Sequence, residues 1–156
     1  MNKLIEEYKE KFKKMKEELG FKSTYEDIEN IFFIEDFIQS EGFVSMTLSR
    51  AVCRRICDLF IGWSNYLHAL VVPNPNHMIN LTESQFFSDA EKHELINLMN
   101  QIMAHTSLNN VIGQTKDKKI EAVFIDDSVT FWIKDLNPKL IDFTKKIHNN
   151  WKEKLK

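Results

Sequence analysis

Residues 46–72 read MTLSRAVCRRICDLFIGWSNYLHALVV, and the spacing within this stretch decides the fold. Leu48, Val52, Ile56, Leu59, Trp63, Tyr66, Leu67 and Leu70 recur at helical intervals and mark one broad apolar face, while Arg50, Arg54, Asp58, Asn65 and His68 fall roughly opposite. At 1.5 Å per residue such a helix extends about 40 Å, enough to serve as the spine of a bundle. Pro73 stops it. Gly62 lies in its middle at a cost of about 1 kcal/mol relative to alanine, which predicts a close helix crossing or a bend there.

The sequence on either side carries helix punctuation rather than strand alternation. Only four glycines and three prolines occur, nearly all where a helix should stop or start. A first helix over 2–19 aligns Leu4, Tyr8, Phe12, Met15 and Leu19 amid Glu and Lys, and Gly20 closes it as a left-handed cap. Ser23-Thr24-Tyr25-Glu26 is a capping-box pattern for a second helix that runs to Glu41 and ends at Gly42. Its Ile31-Phe32-Phe33-Ile34 run is apolar on all sides and predicts burial between neighbours. Pro73-Asn74-Pro75-Asn76 opens a stretch through Phe87 that reads as a long ordered loop. Ser88-Asp89-Ala90-Glu91 is a second capping box, followed by a helix with Leu95, Met99, Ile102 and Met103 inward until Gly113. A fifth helix is expected over 116–136. Asn137-Pro138 then reads as an N-cap with proline at the first helical position, and Leu140, Thr144, Ile147, Trp151 and Leu155 line the last helix. The expected architecture is an all-α, compact bundle of about six helices in a single domain over 1–156, with a long central helix at about 46–72.

Composition bounds the function. The 156 residues are 43% hydrophobic and 28% charged with a formal net charge of −2, so the chain is a folded protein with no bulk charge directed at nucleic acid. The longest apolar region, Ile56 to Val72, is interrupted by Asp58, Ser64, Asn65 and His68, too polar for a membrane span. The chain opens on a lysine-rich amphipathic stretch rather than an apolar leader, and Cys53 and Cys57 stand four apart on a helix, so a reduced, cytoplasmic setting is expected. A Cys-x-x-x-Cys pair lacks the ligands for a closed zinc or iron–sulfur site, and His68, His77, His93, His105 and His148 are scattered without metal spacing. No cofactor and no metal are expected.

Catalytic patterns fail on spacing. Asp126 and Asp127 are neighbours on a helix and point about 100° apart, so they do not converge on one ligand. Glu91-Lys92-His93-Glu94 supplies one Glu-x-x-Glu with no second acidic pair at the separation a metal-dependent phosphohydrolase needs, and no glutamate has a histidine three residues later as in di-iron bundles. Trp63, Trp132, Trp151 and the twelve phenylalanines fall at core spacing without interleaved basic residues, which speaks against a base-stacking platform.

The arginines stand out. Arg50, Arg54 and Arg55 are the only three in a chain whose other cationic residues are lysines, and the guanidinium offers a planar fork of donors that an ammonium lacks. Two readings follow. If 24–41 and 46–72 form an antiparallel hairpin, Glu35 and Asp36 lie level with Val52 and Ala51, and structural ion pairs of Glu35 and Asp36 with Arg54 and Arg55 are expected. On that reading Arg54→Ala destabilises more than Arg50→Ala. Alternatively, Arg50, Arg54 and Arg55 hold a phosphate or carboxylate ligand, with His68 and Asp58 on the same helix as acid–base partners.

Charge is uneven along the chain: Thr24 to Val44 carries six acids and no Lys or Arg, whereas Lys139 to Lys156 carries six lysines. The lysine-rich stretches Lys9 to Lys16 and Lys145 to Lys156 suit an acidic surface. The expected function is a non-enzymatic interaction protein, self-associating and with a protein partner; the alternative is a binder of, or enzyme acting on, a small anionic ligand at the arginines.

Overall fold

The computed structural model describes residues 2–156. Among these the chain is all helical: α1 (Lys3–Leu19), α2 (Tyr25–Phe32), α3 (Ile34–Glu41), α4 (Leu48–Val71), α5 (Met78–Gln85), α6 (Asp89–Thr115), α7 (Lys118–Thr130), a π-helical turn (Phe131–Leu136) and α8 (Asn137–Glu153). The all-α class and the long central helix are as expected, and the number of helices is close to six once the α7–π–α8 run is counted as one. No helix among the described residues is long and apolar enough to cross a membrane.

Helix α4 is the spine because both of its flanks are covered. Val52, Cys53, Ile56, Phe60 and Leu67 are fully buried, and α6 is its principal neighbour, contributing Leu95, Leu98 and Ile102 to the same core. Phe60 gathers an aromatic cluster, with Phe32, Phe131 and the His105 ring edge-on at 5.5–5.7 Å. Helix α1 buries Ile5, Tyr8, Phe12 and Met15 and turns its lysines outward. Its Gly20 cap, at φ 80°, takes the left-handed backbone that residues with a Cβ adopt only at a cost.

Five expectations need correction. The helix expected over 24–41 is broken at Phe33, which adopts a left-handed backbone (φ 53°, ψ 52°). An unbroken helix would spread Ile31, Phe32, Phe33 and Ile34 around its whole circumference. The break lets Ile31, Phe32 and Ile34 bury while Phe33 alone stays half exposed. Two side chains fasten it. The Glu29 carboxylate accepts the Glu35 amide at 3.0 and 3.2 Å, and Arg55 Nε donates to the Phe32 carbonyl at 2.9 Å. Within the first capping box the roles fall one residue later than expected: Thr24 caps the Asp27 amide and Asp27 caps Thr24 in return. The second box, Ser88 with Glu91, forms as read.

The expected loop over 73–87 contains α5, started by His77 Nδ1 accepting the Asn80 amide and tied to α4 by Ser84 Oγ donating to the Leu70 carbonyl at 2.7 Å. Helix α8 carries Pro138 in its first turn as expected, but Asn137 is the helix's first residue rather than its cap, and α8 follows on directly from the π turn. The Asn137 amide donates to the Trp132 carbonyl, five residues back, so the wide π turn shifts the register just where the next residue has no N–H to give. Finally, Gly62 is exposed and nothing among the described residues approaches the place of its missing Cβ, so the crossing expected there is not made among them.

Candidate functional site

The three arginines diverge. Arg50 Nη1 lies 2.7 Å from Glu121 Oε2 on α7, and its Nη2 donates to the Asn109 side-chain oxygen at 2.6 Å and to the Asn109 carbonyl at 3.2 Å. Arg55 gives its Nε–H to the Phe32 carbonyl, and Arg54 is exposed beside a small cleft lined by Phe37, Phe43 and Ala51. Among the described residues neither Arg54 nor Arg55 forms an ion pair, which corrects the expected pairing with Glu35 and Asp36. The reason is the break at Phe33. It takes α3 out of the straight hairpin register, Glu35 instead accepts the Tyr25 hydroxyl at 2.5 Å, and Asp36 faces solvent. His68 lies 18 residues beyond Arg50 on one helix, about 27 Å away, and does not join it.

Glu121 is the partner that sequence reasoning missed. Its side chain is only 6% exposed, and it sits on the stripe of α7 that also buries Ala122, Phe124 and Ile125. A carboxylate on an apolar stripe demands a cation, and that signal stood in the sequence. The buried Cys53 thiol lies against the same carboxylate at 3.9 Å, and burial pushes its pKa well up, with Glu121 adding to the effect. Burial likewise pushes the Cys57 thiol up to about 11. Both cysteines are free thiols packed as small apolar groups.

Above the Arg50–Glu121 pair opens a groove of about 640 Å³ bounded by α1, the α3–α4 turn and the α6–α7 turn. Lys11, Lys14, Arg50, Lys116 and Lys118 line it against Glu18 and Glu121, so its walls are basic in a protein of net charge −2. Lys11 pairs with Glu7 at 3.0 Å; Lys14, Lys116 and Lys118 have no carboxylate partner among the described residues.

Two features of the backbone add to that field. Helix α4 begins in the groove at Thr47, whose side chain makes no cap, its first turn holds no acid, and no acceptor meets the Leu48 and Ser49 amides among the described residues. The positive end of a 24-residue helix therefore faces the groove unscreened. Lys118 and Lys119 also occupy the first turn of α7, where a helix dipole favours acids, and only Asp117 at the cap and Glu121 offset them. Charges placed against local preference are expected where a ligand supplies the compensation.

The remaining polar constellations are structural. His105 Nε2 lies 2.7 Å from Ser128 Oγ, with Asp127 nearby. Ser128 is fully buried and its hydroxyl donates to the Phe124 carbonyl at 2.6 Å, so the histidine is the donor to the serine and no nucleophile is presented. Burial lowers the His105 pKa, opposed by Asp127, and the ring stacks on Phe124 at 4.8 Å. Asp126 accepts the amides of Lys22 and Ser23 and the Ser23 hydroxyl, fixing the α1–α2 turn.

Fold and groove together define a class: an all-helical protein with a basic, partly uncompensated cleft at a helix start. No protein-family model matches the chain, and no curated protein or solved structure matches it either.

Proposed function

We propose that the chain is a non-enzymatic interaction protein that receives an acidic segment of a partner protein in the groove between α1, the start of α4 and the α6–α7 turn. The observation that carries this reading is the set of Lys14, Lys116 and Lys118, without a carboxylate partner among the described residues and lining one cleft beside the uncapped amides of α4. Arg50 contributes as a fixed wall held by Glu121 rather than as a mobile clamp. The groove's breadth and openness to solvent suit an extended carboxylate-bearing chain better than a single small ion, which would call for a compact, desolvated pocket.

The test is a titration of a fluorescent oligoglutamate peptide monitored by anisotropy. Binding is expected, weakening steeply with added salt because the attraction is between largely exposed charges. Reversing Lys14, Lys116 and Lys118 to glutamate together should weaken it by roughly tenfold to a hundredfold, at about 0.5–1 kcal/mol for each cation removed. Reversing Lys145, Lys152 and Lys154 on α8 and just after it should do little. Equal loss from both triple variants would refute the groove as the site, and saturable binding of inorganic phosphate in preference to the peptide would favour a small anionic ligand instead.

A further inference from the structure

Gly62 lies at the centre of α4's outer face, exposed, and nothing among the described residues comes within 4 Å of where its Cβ would stand. Glycine in a helix interior costs about 1 kcal/mol relative to alanine. Its backbone is ordinary helix, so neither a left-handed turn nor a close contact inside the chain requires it. It forms the floor of an open groove of about 510 Å³ walled by Arg55, Asp58, Leu59, Trp63, Tyr66 and, from α8, Thr144. Trp63 and Tyr66 pack edge to face at 5.7 Å along its side.

We infer that this groove is a self-association surface, in which α4 of a second copy crosses α4 antiparallel at Gly62. Closed dimers use a two-fold axis, so the surface must complement itself. With that axis at Gly62, positions equidistant from it face each other. Asp58 then lies opposite Tyr66 of the partner subunit, and Tyr66 opposite the partner's Asp58, a carboxylate and a phenol meeting twice. Leu59 faces the partner's Asn65, and Arg55 the partner's small Ala69. The absent Cβ lets the two backbones approach at the crossing.

Charge selects the antiparallel arrangement. In a parallel pair Asp58 would meet Asp58 of the partner subunit and Arg55 its own copy, both repulsive, whereas the antiparallel pair sets no like charges opposite. The stripe carries one cation and one anion, so two copies meet without net repulsion. Trp63 and Tyr66 are the residue types that anchor such contacts.

Sedimentation equilibrium over roughly 1 to 300 µM on the whole chain tests this, in the range where a weak dimer changes its population. A monomer–dimer equilibrium is expected. Gly62→Leu should leave the circular dichroism spectrum of the dilute monomer intact and its melting temperature no lower than the parent's, because a Cβ there meets no atom within 4 Å among the described residues and leucine is the better helix former, and it should weaken association by about tenfold or more. Gly62→Ala should raise the monomer's melting temperature while weakening the dimer, two changes of opposite sign. Mixed Asp58→Cys and Tyr66→Cys chains should cross-link as heterodimers under mild oxidation, and Asp58→Cys alone should not. A mass that stays monomeric throughout, or a dimer as tight in Gly62→Leu as in the parent, would overturn the inference.

Discussion

Replacing Arg50 by alanine removes the one cation paired with Glu121 among the described residues, a carboxylate buried beside Ala122, Phe124 and Ile125. Breaking a buried ion pair by deleting one member costs about 3–5 kcal/mol, since the surviving charge stays desolvated. Here the lower end applies, about 3 kcal/mol, because Arg50 lies at the groove and water entering behind it can rehydrate part of the carboxylate. With an unfolding entropy of about 2.1 cal/mol/K per residue over 156 residues, that corresponds to a fall in Tm of about 9 °C. Arg54→Ala removes an exposed side chain with no carboxylate partner among the described residues and should change Tm by less than about 2 °C. This order reverses the one expected from sequence, where Arg54 was the structural member. Urea denaturation supplies the free energies, and the pair Arg50→Met with Glu121→Leu should recover most of the loss by replacing both charges with apolar groups. A loss below about 1 kcal/mol for Arg50→Ala, or an equal loss for Arg54→Ala, would refute the reasoning.

Other outcomes follow from the same structure. Burial raises the Glu29 pKa, and Glu35 and Asp36 push it further while the Glu35 amide pulls it back. Its folded state therefore favours the proton, so a cost present above the folded pKa is relieved as pH falls through it. Glu29→Gln, which keeps an acceptor for the Glu35 amide, should raise Tm near neutral pH and converge with the parent in mild acid; parallel curves would count against this. Glu91, held below the usual carboxylate range by the Lys146 ammonium and the Ser88 amide, acts with the opposite sign. Its stabilisation is present above the unfolded pKa and is lost as pH falls through the lowered folded value, at more acid pH than the Glu29 effect, and Lys146→Met should shrink it. Cys53 and Cys57 should react with a thiol reagent only on unfolding, and rapid native-state labelling would show that their burial is transient.

Much of the fold was legible because its signals are local. Gly20 and Gly42 end helices with positive φ, Ser88 and Glu91 close their box, and the apolar spacing of 48–70 fixes the spine. The Phe33 break was not legible, since no glycine or proline marks it. It is imposed by burial of its neighbours and held by Glu29 and Arg55, and Arg55 lies 23 residues away from the carbonyl it meets. Asn137-Pro138 was read as a cap with proline at the first helical position; Pro138 does sit in the first turn of α8, but the preceding π turn rather than an Asn137 cap accommodates its missing N–H. The groove could not be seen from any one stretch, because its walls come from 11–19, 45–50 and 113–121. Arg50 stands out in the sequence, yet its partner Glu121 lies 71 residues downstream, and no local pattern joins the two.

The most direct test of the basic groove as the working surface is a map of amide shifts in the 15N-labelled protein as the oligoglutamate peptide is added. Lys11 to Leu19, Ser45 to Arg50 and Gly113 to Glu121 should move together along one binding curve, with Leu48 and Ser49 shifting downfield as their unpaired amides acquire acceptors. Shifts confined to Lys139 to Lys156, or spread evenly over every surface lysine, would contradict the account.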